Sequence, residues 1–192
     1  MRLTSTEIDT LRDSRTTYGN PTQHDAINFL RTSEETGGEY TLLDVLAQPG
    51  ACVLRHYHRA FAERFDVLDG ALTVELAGRR RVLQPGENAT TPTKTVHRWE
   101  NESAHPVHFL VELTPGDTGF ENGLKILYGL ACDGRTRHNG VARNFYHNAL
   151  FVQLTDIWLP GALGAVNPLL ALLAARARAK GIEQQLLEQY CR

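Results

Sequence analysis

Gly50-Ala-Cys-Val-Leu-Arg-His56-Tyr-His58-Arg-Ala-Phe-Ala-Glu63-Arg-Phe-Asp-Val-Leu-Asp-Gly70 is the stretch whose reading decides the fold. It reads as a strand, a short bend and a second strand. Residues two apart on a strand face the same side, about 6.6 Å apart along it, so His56 and His58 are expected to project together. Glu63 follows after enough chain to turn and bring a carboxylate back towards the two imidazoles. Gly70 closes the second strand at a turn where a positive φ is easy. Two neutral nitrogens and one hard oxygen converging on a point suit a divalent first-row metal. A fourth candidate ligand, His97, lies in Gly86-Glu-Asn-Ala-Thr-Thr-Pro92-Thr-Lys94-Thr-Val-His97-Arg-Trp99-Glu-Asn101.

The two stretches together resemble the paired motifs of the cupin superfamily. The first motif is filled by Gly50, His56, His58, Glu63 and Gly70, the second by Gly86, Pro92, His97 and Asn101. One position departs from the pattern, because the glycine usual two residues after the proline is Lys94. The resemblance covers roughly residues 25–115 and implies an all-β core, a cupin jelly-roll (double-stranded β-helix) barrel. It also implies His56, His58, Glu63 and His97 as metal ligands. The expected organisation is an N-terminal arm over 1–24, the barrel over 25–115 and an α-helical C-terminal extension over 116–192.

The chain's 192 residues suit one domain with a full core. A hydrophobic fraction of 42% and a charged fraction of 22% are ordinary for a globular protein. A net charge of -2 offers no electrostatic case for nucleic acid. Cys52, Cys132 and Cys191 are odd in number and far apart, which argues against a disulfide framework. The first ten residues lack the apolar run of a secretory signal, so a cytoplasmic location is expected. Leu159 to Ala175 is apolar apart from Asn167. It carries two prolines and two glycines and falls short of the roughly 20 residues a membrane span needs.

From Ala26 onward, short apolar or alternating runs separated by Gly and Pro turns predict strands: Ala26 to Thr32, Tyr40 to Ala47, Leu72 to Leu76, Arg81 to Leu83 and Val107 to Thr114. Arg79, Arg80 and Arg81 read as a solvated hairpin tip, and His24 as a solvated loop residue in a turn-rich arm without periodicity. Past Gly119 the period becomes helical. Tyr146, Leu150, Leu154, Ile157 and Trp158 fall on one helix face. Asn167 reads as an N-cap before Pro168. Leu169, Leu172 and Leu173 then share a face, Gly181 ends that helix, and Ile182, Leu186, Leu187 and Tyr190 form another stripe. These stripes are expected to pack on the barrel or across a homodimer.

Parity places Cys52, Leu54, His56 and His58 on one wall, Phe65 and Val67 with Glu63, and Trp99 and Asn101 with His97. A substrate pocket formed by Cys52, Phe65 and Trp99 beside the metal is therefore expected. The ligand set suits Fe, Mn, Ni or Zn and does not choose among them. With iron, the resemblance implies a dioxygenase-like enzyme acting on a small aromatic or enolisable compound. Lewis-acid isomerisation or decarboxylation is an alternative, and a non-catalytic small-molecule-binding cupin is another. The catalytic groups beyond the metal ligands are not identified.

Overall fold

The computed structural model describes residues 4–191; residues 1–3 and 192, at the outer ends of the expected arm and extension, lie outside them. Nine strands form two antiparallel sheets. Strands β1 (Thr17–Asn20), β2 (Asp25–Arg31), β3 (Thr41–Ala47), β4 (Ala62–Asp69), β7 (Asn88–Thr91) and β9 (Val107–Thr114) make the larger one, in the order β1-β2-β3-β9-β4-β7. Strands β5 (Leu72–Leu76), β6 (Arg79–Leu83) and β8 (His97–Glu100) make the smaller, in the order β6-β5-β8. Among the described residues these remain two ladders rather than one closed one.

The alternation read from the sequence is what joins the sheets. Phe65 and Val67 of β4 and Phe109 of β9 meet Leu72 and Val74 of β5 and Trp99 of β8 in the main core. The Trp99 and Phe109 rings lie edge to face, with centroids 5.2 Å apart, a favoured aromatic geometry. The tip between β5 and β6 has positive φ at both Ala77 and Gly78, as a two-residue hairpin requires. Arg80 beyond it is solvated and pairs with Glu100 and Glu102. Gly70 has φ +78°, and a Cβ there would stand 2.6 Å from the Pro106 carbonyl. No larger residue fits that turn.

Helix α1 (Ser5–Asp13) and strand β1 occupy the segment expected to be an aperiodic arm. The helix carries a reciprocal Thr4–Glu7 capping box, a start signal that does not depend on hydrophobic periodicity. Ile8 packs on Leu30 and Leu42, and Arg12 and His108 both pair with the buried Asp44. His24 is exposed, as expected.

The extension consists of α2 (Thr118–Cys132), α3 (Phe145–Leu154), a 3₁₀ turn over Gly161–Val166, α4 (Asn167–Ala179) and α5 (Ile182–Tyr190). Helix α2 has two working faces. Phe120, Leu127 and Tyr128 enter the sheet core, whereas Ile126 and Leu130 join Ala149, Leu150, Ala174, Ala177 and Leu186 in a helical cluster. Two buried acids tie α2 to the larger sheet. Glu121 accepts from Ser33 N at 2.6 Å and Thr41 Oγ1 at 2.7 Å. The Tyr128 hydroxyl donates to Asp25 Oδ2 at 2.7 Å.

Three expectations for the extension need correcting. Ile157 and Trp158 do not continue the helical face, because α3 stops at Leu154 and Asp156 turns left-handed with φ +47°. Asn167 is not the N-cap of α4, since Val166 holds that place and the Asn167 side chain instead pairs twice with the Leu159 main chain. Leu169 and Leu172 are more than half exposed, so of the expected stripe only Leu173 packs within the chain, beside Leu170, Ala174 and Ala177. Among the described residues no helix is long and apolar enough to cross a membrane.

Candidate metal centre

The site lies where the two sheets meet. Glu63 is the second residue of β4 in the larger sheet and His97 the first of β8 in the smaller. His56 is drawn to His97 by reciprocal main-chain hydrogen bonds, His56 N to His97 O at 3.0 Å and His97 N to His56 O at 2.8 Å. His58 is anchored beyond it, its carbonyl accepting from Lys94 N at 2.6 Å. Lys94 adopts φ +62°. The turn normally made with glycine is thus kept, with a side chain in a conformation that costs an L-residue about 1–2 kcal/mol. Lys94→Gly is accordingly expected to raise unfolding stability by about 0.5–1 kcal/mol after glycine's greater unfolded-state freedom is subtracted. Urea denaturation measures this, and an unchanged or lower midpoint would refute it.

All four expected ligands converge. One ligand atom from each of His56, His58, Glu63 and His97 can be chosen so that all lie within 4.8 Å of one another. His56 Nε2 and His58 Nε2 are 3.0 Å apart, His97 Nε2 and Glu63 Oε2 are 2.8 Å apart, and His58 Nε2 is 3.7 Å from Glu63 Oε2. Atoms bound about 2.1 Å from one ion and at right angles would be about 3 Å apart, so these spacings fit.

The tautomers sharpen that fit. His56 Nδ1 faces the Leu54 carbonyl at 2.7 Å, His97 Nδ1 the Thr95 carbonyl at 2.9 Å and His58 Nδ1 the Asp156 carbonyl at 3.1 Å. A carbonyl only accepts, so each Nδ1 carries the proton. In their neutral forms His56 and His58 therefore turn two Nε2 lone pairs towards each other with no hydrogen between them. A cation placed among them turns that repulsion into ligation, and histidine ligands characteristically donate their other ring N–H to a carbonyl in this way.

Electrostatics prepares the same donor set. Burial, with help from the neighbouring imidazoles, pushes His56 down to about 3, and burial holds His58 below its ordinary value as well. For Glu63, burial favours the acid, but His58 and the hydrogen bond from His97 outweigh it and bring the carboxyl down to about 2. His97 is held above its usual value, because its bond to the Glu63 carboxylate outweighs its burial. Two neutral imidazoles and an ionised carboxylate are what a divalent ion would meet, and His97 would release its Nε2 proton as the ion took that place beside Glu63.

Phe65 is buried, with its ring centroid 6.3 Å from that of His97. Trp99 is also buried, stacked edge-on against Phe109. Cys52 is exposed and Leu54 is 74% exposed, so the common wall expected from parity does not exist. Residues 52–58 form isolated bridges, Cys52 to Glu100, His56 to His97 and Tyr57 to Trp158, rather than a regular strand, and an alternation of period two has no hold there.

Two aromatic neighbours were missed. The Phe61 ring lies 4.4 Å from that of His58, and Phe120 of α2 lies 6.0 Å from it. Phe61 sits in the expected bend, but Phe120 reaches the site from the far end of the fold and carries no local signal. A separate cavity of about 460 Å³ is lined by Tyr57, Lys94, Val96, Trp158, Leu159 and Pro160 among others.

Comparison with known proteins agrees with this architecture. Residues 43–114 match the family model described as the cupin domain. Those residues thus carry a cupin domain, and a helical extension follows it in the chain. Quercetin 2,3-dioxygenase of Bacillus subtilis (strain 168) is 29% identical to it over 88 residues, 46% of this chain and 26% of the relative. The chain thus spans about a quarter of that relative's length. A solved structure described as a predicted oxalate decarboxylase from Thermotoga maritima is 17% identical and covers 54% of this chain and 96% of its own, with a TM-score of 0.50. KdgF from Halomonas sp. is 19% identical, with coverages of 55% and 91% and a TM-score of 0.49. The likeness to the Thermotoga maritima structure speaks for the fold alone.

Proposed function

We propose that this chain binds one divalent metal ion through Nε2 of His56, His58 and His97 and a carboxylate oxygen of Glu63. We further propose that the loaded protein is a dioxygenase-like enzyme for a small aromatic or enolisable compound. The observation that carries the metal centre is the 3.0 Å approach of Nε2 of His56 to Nε2 of His58, each ring having Nδ1 against a main-chain carbonyl. In this reading the two facing sheets are the halves of a jelly roll, with the ion held between them. A bound ion would supply Lewis acidity and, in the case of iron, redox chemistry with dioxygen.

The chain's own groups have separate tasks. The three carbonyls at Leu54, Thr95 and Asp156 hold the imidazoles with their lone pairs inward. Phe61, Phe65 and Phe120 exclude water on the flanks of His58 and His97, which lowers the local dielectric and strengthens each charge interaction. Their rings also offer apolar faces to a planar substrate. Support for oxygen chemistry comes from the partial match to quercetin 2,3-dioxygenase.

The test is chelator-stripped protein reconstituted anaerobically with Fe(II), Mn(II), Ni(II) or Zn(II), with bound metal determined by elemental analysis. Catechols, flavonols and 1,3-diketones are then added with O₂. Stoichiometric metal with substrate-dependent oxygen uptake is expected. Stoichiometric metal with tight ligand binding and no turnover in any form would replace the enzyme by a binding protein.

A further inference from the structure

His56 and His97 receive their tautomer-setting carbonyls from two residues upstream in the chain, Leu54 and Thr95. His58 does not. Its partner is the main-chain carbonyl of Asp156, 98 residues away in the helical extension.

Asp156 is tied to the His58 segment by more than that contact. Its Oδ2 accepts from the main-chain N–H of both Arg59 and Ala60, the second at 2.6 Å. Its Oδ1 accepts from Trp158 Nε1 at 2.7 Å. Trp158 in turn exchanges main-chain hydrogen bonds with Tyr57, Tyr57 N to Trp158 O at 3.1 Å and Trp158 N to Tyr57 O at 2.9 Å. The Arg59 guanidinium lies 4.6 Å over the Trp158 ring. One residue thus grips the chain immediately after His58 with its side chain and the imidazole with its main chain. Its φ of +47° aims both groups at once, a conformation that aspartate tolerates better than most L-residues.

We propose that Asp156 is a positioning residue for the metal centre. Its carbonyl holds the His58 ring with Nε2 turned inward, and its carboxylate fixes that carbonyl by clamping the main chain at Arg59 and Ala60. The helical extension is then part of the metal centre rather than an appendage to it. The proposal rests on the metal centre proposed above.

The test uses the full chain, stripped with chelator and titrated with Co(II), with affinity read by competition and ligand geometry by the visible spectrum. Asp156→Ala removes the clamp and disfavours the left-handed turn. It is expected to weaken Co(II) about 10–100-fold, the usual cost of losing an outer partner of a ligand, and to alter the spectrum. Asp156→Asn keeps an acceptor for Arg59 and Ala60 and the tolerance for positive φ, so it should recover most of the affinity. Leu186→Ala, a cavity in the helical cluster far along the chain, lowers the melting temperature but should leave Co(II) affinity within about threefold, which separates positioning from general loosening.

Wild-type affinity and spectrum in Asp156→Ala would overturn the proposal while leaving the metal centre standing. If that variant does not fold, Asp156→Gly, which retains the backbone conformation but not the clamp, decides on the same readings. A wild-type chain that takes up no Co(II) would instead remove the metal centre itself.

Discussion

Chelator-stripped protein is expected to gain about 4 kcal/mol of unfolding stability when a divalent ion is supplied at about 1,000 times its dissociation constant. His97→Gln is expected to abolish most of that gain. The proposed ligand set comes together only in the folded chain, because Glu63 and His97 lie on strands of different sheets. Binding free energy therefore appears as stability. His56 and His58 hold their Nε2 atoms 3.0 Å apart, so an ion bound to both would remove a repulsion as well as add bonds.

Glutamine is the informative replacement at His97. Alanine would leave the buried Glu63 carboxylate without its 2.8 Å partner, and breaking such a pair by deleting one member costs about 3–5 kcal/mol. That loss would confuse folding with ligation. A glutamine amide can still donate to Glu63 while lacking the imidazole lone pair. Thermal melts with and without Mn(II), Fe(II), Co(II), Ni(II) and Zn(II) provide the measurement. No metal-dependent shift in the wild type, or an equal shift in His97→Gln, would sink the ligand assignment.

The convergence of His56, His58, Glu63 and His97 was legible in the sequence because each motif carries its own local geometry. Glu63, Phe65 and Val67 face inward as period-two alternation on β4 requires, with Arg64 and Asp66 between them less buried. Trp99 shares that face with His97 on β8. The same alternation fails over Cys52 and Leu54, where the chain is not a regular strand and both side chains are exposed. Ile157 and Trp158 show the converse error. Their spacing continues the α3 stripe, but Pro160 disfavours helix in the residue before it, and Asp156 has already turned the chain. The residues that complete the site from a distance, Phe120 and Asp156, were beyond sequence reasoning, since nothing local says which apolar ring or which carbonyl will arrive beside His58.

Asp25→Asn is expected to be more stable than the wild type at pH 8 by about 2–4 kcal/mol, and nearly equal to it below pH 4. Asp25 is 6% exposed between β2 and α2. Its neighbours offer a hydrogen bond from Tyr128 and a longer one from Gln23 at 3.2 Å, but no cation is among these partners. Its Oδ1 has no partner, nor has Nδ2 of Asn20, the residue opposite it in the β1–β2 register. Burial raises the carboxyl from 3.8 to about 7, against the pull of the Tyr128 hydrogen bond. Between those two values the unfolded chain has lost the proton that the folded chain retains. The contribution of the protonated carboxyl is therefore fully present below about pH 3.8 and is lost as the pH rises through about 7. At about 1.4 kcal/mol for each pH unit between the two values, the full difference is about 4 kcal/mol. Asparagine is neutral throughout and keeps an oxygen for Tyr128, so it escapes the loss. Every other titrating group, including Asp44 and the metal-centre residues, is common to both proteins and cancels in the difference. Urea denaturation of both chains from pH 4 to pH 8 measures the divergence. A constant gap across that range, or a wild type that gains on the variant as the pH rises, would show that Asp25 is ionised in the fold and that α2 is held to the sheet by a charged rather than a neutral hydrogen bond.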